Sequence, residues 1–401
     1  MSLANTAALI LAFCWLGVIY ATLNPEVDDF KQYWQASVNV RKLGDPYATT
    51  TGQELLHGQA ATPQRKPGYP CPPFFAYLIL PLSFLELRQA QSVWFGFNVF
   101  ALAGLVWLCI LLSGSQFARR YWGVVALGVV LAPPTFICLQ LGQVGILLAL
   151  LVVAGFAMAS RNGVIAGLML AFATLIKLYP ALMIVYSIVQ RLRKLAFWSV
   201  VMSAAVLLVS VVFHGIHPYS SYVEKVLLGH LYPYAAEFNI SLTGFCHRLL
   251  VANDYAVALV NQAVVAKLVI CALSVVVVSL CIWASRSLYG NVPPRLQTCI
   301  WLCAMLVLSP VNGYYNLVLL LLPMLVMLHY LEQHPNRNIR NGLVLATVLV
   351  WFPPGWTNWQ PTLYNTFHRN WGVLLLTPSF YGLLLYFLLL LALLRRQSAK
   401  H

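Results

Sequence analysis

The stretch FATLIKLYPALMIV, Phe172 to Val185, decides the fold. It lies inside a long apolar run, residues 163–190, and carries Lys177 and Pro180 near its middle. As one helix, the run crosses a bilayer once. As two short helices meeting near Lys177, it crosses twice, and every later segment changes side. Proline removes a backbone donor and collides with the preceding turn. An ammonium in hydrocarbon is costly unless it faces a cavity or an anionic partner. Snorkelling of the lysine to the interface is the plainer alternative.

The rest of the chain sets the context for that choice. Of 401 residues, 61% are hydrophobic and 8% are charged, against about 25% charged in soluble domains. So much apolar surface predicts an all-α polytopic membrane protein. The net charge of +14 does not point to nucleic acid. Its basic residues stand singly or in pairs at the ends of apolar runs, as topology signals do. The expected partners are membrane lipids, with no nucleic acid.

Apolar runs long enough to span lie at 3–23, 88–113, 120–139, 142–160, 195–213, 262–285, 313–330 and 373–394, with shorter ones at 296–309 and 340–353. The first reads as a retained helix rather than a cleaved signal peptide. Residues 71–86, CPPFFAYLILPLSFLE, contain three prolines and are expected to be interfacial or re-entrant. With 163–190 split in two and the N-terminus inside, Arg119, Arg120, Arg161, Arg191, Arg193, Lys194, Arg286, Arg295, Arg337, Arg340, Arg395, Arg396 and Lys400 all fall on the cytoplasmic side. The unsplit alternative, with 71–86 crossing, puts Arg119, Arg120 and Arg161 outside. The positive-inside rule favours the split arrangement, with about twelve spans. No soluble domain separate from the membrane segments is expected.

This arrangement gathers the polar groups outside: the loop 24–87, the turn from Gln140 to Gln143, Lys177, the segment 214–261, the turn SPVNGYYN from Ser309 to Asn316, and the segment 354–372. The stretch DDFKQYWQASVNVRKLGDPY places Phe30, Tyr33, Trp34, Val38 and Leu43 among polar residues, as an interfacial amphipathic helix does. Gly44 and Pro46 mark its stop. Seven of the nine cysteines lie in apolar runs. Only Cys71 and Cys246 fall in expected external segments, where a disulfide is one option. No cysteine or histidine spacing suits a metal.

Candidate chemistry concentrates in a few residues. Asp28 and Asp29 open the interfacial helix, either as N-terminal caps or as a general base at the membrane boundary. Lys177 suits a phosphate, which lysine binds as a point charge. Gln140 and Gln143 are either ligands or plain turn polarity around Gly142. Asn98 is suited to bonding a neighbouring helix. In EFNISLTGFCHRLL, Asn239 and Ser241 form a glycosylation sequon, Ser241 or Thr243 can cap the next helix, and Arg248 is a second phosphate candidate or an exposed interfacial arginine. Motifs for a P-loop, a zinc protease, a DxD-bound metal or a serine hydrolase are missing, so no cofactor and no metal is expected.

The ordered set DFKQYW with GDPY, YPCPPFFAYLILPLSFL, LGQVGILLALL, AGLMLAFATLIKLYPAL, NISLTGFCHRL and LSPVNGYY resembles the GT-C superfamily of membrane glycosyltransferases, and most closely glycosyltransferase family 87. That family includes the mycobacterial polyprenol-phosphate-mannose-dependent α-1,2-mannosyltransferases. The resemblance implies the GT-C fold with interfacial helices in the first external loop, residues 1–330 forming the catalytic module and 331–401 the C-terminal helices. It implies transfer of a sugar, mannose first among candidates, from a polyprenyl-phosphate donor to a lipid or glycan acceptor. The family pattern puts the base at Asp29, with Asp28 its neighbour, and places Tyr33, Gly142, Gln143, Asn239, Ser241 and Gly244 in the site. Lys177 would hold the donor phosphate, with Arg248 a candidate second ligand. Asn312 and Tyr315 of the SPVNGYYN turn are further substrate candidates, although the family's mannosyltransferases carry histidines after that turn. The implied location is a multi-pass protein of the bacterial inner membrane with its site facing outward. A transporter or flippase of a lipid-linked or anionic substrate is the competing class, since it shares the spans, the buried cation and the broken helix.

Overall fold

The computed structural model describes residues 2–24, 29–48, 68–228, 234–286 and 294–398. Among these the chain is all-helical, and the only β-feature is one antiparallel bridge between Asn239 and Gly313. The chain divides into two compact units. One comprises Leu9–Leu108 and Thr135–Tyr232; the other comprises Met1–Ala8, Cys109–Pro134 and Pro233–His401.

In the first unit, the amphipathic stretch forms the helix Phe30–Leu43. Phe30, Tyr33, Ala36 and Val40 recur at helical spacing and are buried. Gly44 ends the helix in the left-handed region, at φ 76°, with its N–H on the Val40 carbonyl. Leu43, expected on the apolar face, is 63% exposed. Residues 71–86 become a six-residue helix, Pro73–Leu78, followed by a 3-10 turn, Leu80–Phe84. Six residues rise only about 9 Å, too little to cross hydrocarbon. Both pieces pack on the Phe30–Leu43 helix.

The run that decided the fold is two helices, Gly163–Ile176 and Ala181–Val189. Asn162 caps the first by accepting from the Val164 and Ile165 amides. Lys177 ends it in an extended conformation, φ −143° and ψ 142°. Pro180 then opens the second, where its missing N–H leaves no bond unmade. Outside this unit's first segment, a second apolar run also contains a break. Residues 120–139 hold the helices Trp122–Leu131 and Pro133–Gln140, bent by 63°. Pro133 and Pro134 explain the bend: neither can donate to the preceding turn.

In the second unit, Ala263–Arg286, Pro294–Leu308, Leu321–Gln333, Arg337–Val350 and Pro378–Ser398 form the helical body. Pro378–Ser398 packs on Arg337–Val350 and Pro294–Leu308. Trp301 is buried and donates its indole N–H to Ser285 Oγ at 3.0 Å. Glu332 caps a short neighbouring helix, Gln116–Arg120, accepting from the Ser115 hydroxyl at 2.6 Å and from the Gln116 and Phe117 amides at 3.0 Å.

Among the described residues, six helices are long and apolar enough to cross a membrane, or up to seven if the bent pair is one span. They include Leu3–Ala21, Leu87–Ser113, Arg193–His214 and Ala263–Arg286. Gly145–Met158, Gly163–Ile176 and Arg295–Leu308 are apolar but shorter. This is the build of an integral membrane protein. All nine cysteines are free thiols, Cys71 and Cys246 included, so the disulfide option is not realised; Cys14 and Cys271 alone are exposed.

Candidate active site

The first unit brings four of the candidate residues together. Asp29 sits immediately before the Phe30–Leu43 helix and is partly exposed. Its side chain caps no backbone amide of that helix, which removes the capping explanation for this aspartate. Instead Asp29 Oδ2 accepts from Gln143 Nε2 at 2.5 Å. Asp29 Oδ1 has a long contact, 3.5 Å, from Gln32 Nε2. Gln143 Oε1 accepts from the Tyr33 hydroxyl at 2.6 Å. Tyr33, Gln143 and Asp29 therefore form one continuous hydrogen-bonded line across 114 positions of sequence.

The backbone that holds this line is built around Gly142. Its φ is +62°, and its carbonyl accepts from the Trp94 indole at 2.7 Å. A methyl group there would come within 2.6 Å of Phe30 Cβ. The Phe30 amide donates to the Leu141 carbonyl at 3.1 Å, and the Phe30 and Trp94 rings stack at 5.8 Å. The 141–143 turn thus grips the first residue of the helix that follows Asp29. Trp94 was not singled out in the sequence. Its signal was an indole N–H within a long apolar helix, which must find an acceptor.

Lys177, at the helix break, is half-buried. Burial holds the Asp29 carboxyl above the usual carboxylate range; the Gln143 hydrogen bond and the Lys177 charge both pull it back down. Lys177 therefore lies within electrostatic reach of Asp29. A partly exposed carboxylate within electrostatic reach of an ammonium can take a proton from a hydroxyl while the ammonium faces an anion. Among the described residues, no group of three or more metal-ligating side chains occurs. Asp28 lies outside the described residues. Gln140 is half-buried at the end of the Pro133–Gln140 helix. Asn98 is buried and donates to the Trp94 carbonyl at 3.0 Å.

The remaining candidates cluster in the second unit, and their side chains are spent on the fold. Asn239 is fully buried; its amide nitrogen donates to the Tyr234 and Pro310 carbonyls, and its oxygen accepts from the Asn312 amide at 2.9 Å. Asn312 returns a bond to the Ile240 carbonyl at 3.0 Å. In the folded protein the sequon asparagine is thus buried and engaged. Ser241 caps the Leu242–Leu250 helix, accepting from the Gly244 amide at 3.0 Å. Tyr315 is half-buried with its ring against Gly313.

Arg248 is 1% exposed. Its Nη1 donates to the Ala235, Ala236 and Asn239 carbonyls and its Nη2 to Thr377 Oγ1. Burial lowers it to about 10, with Glu237 opposing. The guanidinium staples the 235–239 turn to the Leu242–Leu250 helix and offers almost no surface to a phosphate.

The sequence model of glycosyltransferase family 87 matches residues 69–310, more than half of the chain. The chain belongs to glycosyltransferase family 87. This family 87 protein is therefore a membrane glycosyltransferase, which decides against the transporter alternative and implies donor and acceptor substrates in the membrane. The matched region contains Gln143, Lys177, Asn239, Ser241 and Arg248, whereas Asp29 and Tyr33 precede it and Asn312 and Tyr315 follow it. A comparison with curated proteins finds no match.

Proposed function

We propose that this family 87 glycosyltransferase moves a sugar from a polyprenyl-phosphate donor to a lipid or glycan acceptor on the extracytoplasmic side of the bacterial inner membrane. The observation that carries the reading is the largely buried Asp29 carboxylate, held by Gln143 within electrostatic reach of Lys177. Asp29 is the general base and Lys177 the ligand of the donor phosphate. Asp29 takes the proton of the acceptor hydroxyl. The acceptor oxygen bonds to the anomeric carbon as the carbon–oxygen bond to phosphate breaks, and polyprenyl phosphate leaves with that electron pair. Lys177 stabilises the charge that grows on the leaving phosphate, a preorganised electrostatic contribution.

Attack from the face opposite the phosphate inverts the anomeric centre, so a β-linked donor gives an α-linkage. The preferred sugar is mannose, by family resemblance. A GT-C arrangement of about twelve spans accommodates the shorter apolar helices as additional crossings shielded by protein. Arg248 is left out of donor binding because its guanidinium is already engaged by carbonyls.

The test is incubation of the purified protein in nanodiscs with a panel of polyprenyl-phosphate sugars and a membrane lipid extract, with mass spectrometry of the lipid products. The expected result is a glycosylated product with the wild type and its loss with Asp29→Asn. Undiminished transfer by Asp29→Asn removes Asp29 from the mechanism. Consumption of none of the donors removes the lipid-linked donor class.

A further inference from the structure

We propose that Tyr33 and Gln143 are positioning residues that fix the orientation and protonation of Asp29, leaving Oδ1 as the oxygen that takes the acceptor proton. The inference deepens the reading of Asp29 as base and rests on it for its catalytic meaning. Its structural content stands alone.

Burial carries the first step. Tyr33 is 1% exposed and Gln143 is 4% exposed, so neither has surface to offer a sugar. The Tyr33 ring is clamped edge-on by Phe75 at 5.1 Å and by Tyr69 at 6.3 Å. A clamped ring fixes where the hydroxyl points. That hydroxyl meets Gln143 Oε1 at 2.6 Å.

Donor and acceptor counting carries the second. A primary amide has one acceptor end and one donor end. With Tyr33 donating to Oε1, the donor end, Nε2, must face Asp29, as its 2.5 Å bond to Oδ2 shows. Flipping the amide would turn Oε1 toward Asp29, which suits only a protonated carboxyl, while the Tyr33 hydroxyl would then accept instead of donate. In the observed orientation the Tyr33 donation to Oε1 polarises the amide and strengthens the Nε2 donation to the ionised carboxylate. A hydrogen bond to the charged form of an acid favours that form.

The third step assigns the two oxygens. Oδ2 is occupied by Gln143, while the contact to Oδ1 from Gln32 is long, 3.5 Å. A proton arriving on Oδ1 leaves Oδ2 still able to accept from Gln143. The line therefore need not rearrange when Asp29 becomes protonated. Gln143 holds the base through both protonation states, and Tyr33 holds Gln143.

The test reads Asp29 directly and needs no substrate. The sequence has four aspartates, Asp28, Asp29, Asp45 and Asp254. Protein carrying [4-13C]aspartate in nanodiscs is titrated by infrared difference spectroscopy, and the Asp29 band is the one that Asp29→Asn removes. Losing a hydrogen bond to a charged group raises the midpoint by about one unit or more. Gln143→Leu should show that rise in full. Tyr33→Phe keeps the ring and its packing, and should show a smaller rise in the same direction. Thermal unfolding confirms that both variants are folded, with Tyr33→Phe the milder change. A wild-type or lowered midpoint in folded Tyr33→Phe overturns the inference. If both midpoints rise but Asp29→Asn still transfers sugar, the positioning line survives and the assignment of the base fails.

Discussion

Replacing Gly142 by alanine tests the site's construction most sharply. The new Cβ would sit 2.6 Å from Phe30 Cβ, where ordinary contacts begin at 3.4 Å. The backbone at φ +62° also costs an L-residue roughly 1–2 kcal/mol. Forcing a methyl into a filled space adds about 1–3 kcal/mol. The sum is a destabilisation of about 2–5 kcal/mol.

Phe30 cannot simply slide away, since its amide is bonded to Leu141 and its ring stacks on Trp94. The displacement must pass to the start of the helix and to Asp29, its immediate neighbour. A misplacement near 1 Å costs about 100-fold in rate, so even part of it should lower turnover by about 10-fold. Gly44→Ala is the control. It has the same backbone strain at φ +76° but nothing within 4 Å of the added methyl. It should lower the unfolding temperature modestly and leave turnover unchanged. Unfolding temperatures in nanodiscs and sugar transfer are the two readouts. If Gly142→Ala matches Gly44→Ala in both, the turn does not position Asp29 and the reasoning fails.

Other consequences can be checked alongside. Burial raises the Asp29 carboxyl, and a base must be deprotonated to act. Transfer should therefore fall as pH drops through that raised value, above the range of an ordinary aspartate, in a rate–pH profile. The same burial makes the ionised form a stability cost, so Asp29→Asn should unfold at a higher temperature than wild type at neutral pH. That gap should shrink on acidification, because a raised acid's stabilising contribution is present when protonated and lost as pH rises. Arg248→Ala would take the donor from the Ala235 and Asn239 carbonyls, while Ala236 keeps the Asn239 amide; each loss costs about 1–3 kcal/mol when buried, and the expected result is loss of folded protein on size exclusion. A folded Arg248→Ala with only a raised KM for the donor would restore Arg248 as a phosphate ligand. Folded protein incubated with an oligosaccharyltransferase and its lipid-linked donor should carry no glycan on Asn239 by mass spectrometry, as its side chain is buried.

The outline of the fold was legible because apolar length and punctuation are local signals. Gly44 ended its helix and Pro180 opened a new one, each for reasons contained within a few residues. Pro133 and Pro134 carry an equally local signal for the bend within 120–139, which hydropathy alone does not register because it is blind to a lost donor. The span count was less legible, because Gly145–Met158 is short and largely buried. A helix covered by protein need not match the thickness of lipid. The site was legible as a list of polar residues, but their roles were not. Whether Gln143 touches a sugar or Asp29 depends on contacts 114 positions apart. Arg248 and Asn239 looked like ligands because they are polar near an expected outer surface. Folding had already claimed them for carbonyls and turns, a choice that only tertiary packing makes.

The thiols have a practical bearing on how the sidedness of this protein can be mapped. Seven of the nine are buried, and the two exposed ones, Cys14 and Cys271, sit on the membrane-spanning candidates Leu3–Ala21 and Ala263–Arg286. Facing acyl chains, those two would meet little of a charged maleimide, which stays in water. The native sequence is thus already a quiet background for reporter labelling. A single engineered cysteine in each connecting loop would reveal its compartment without first removing the nine that evolution left in place.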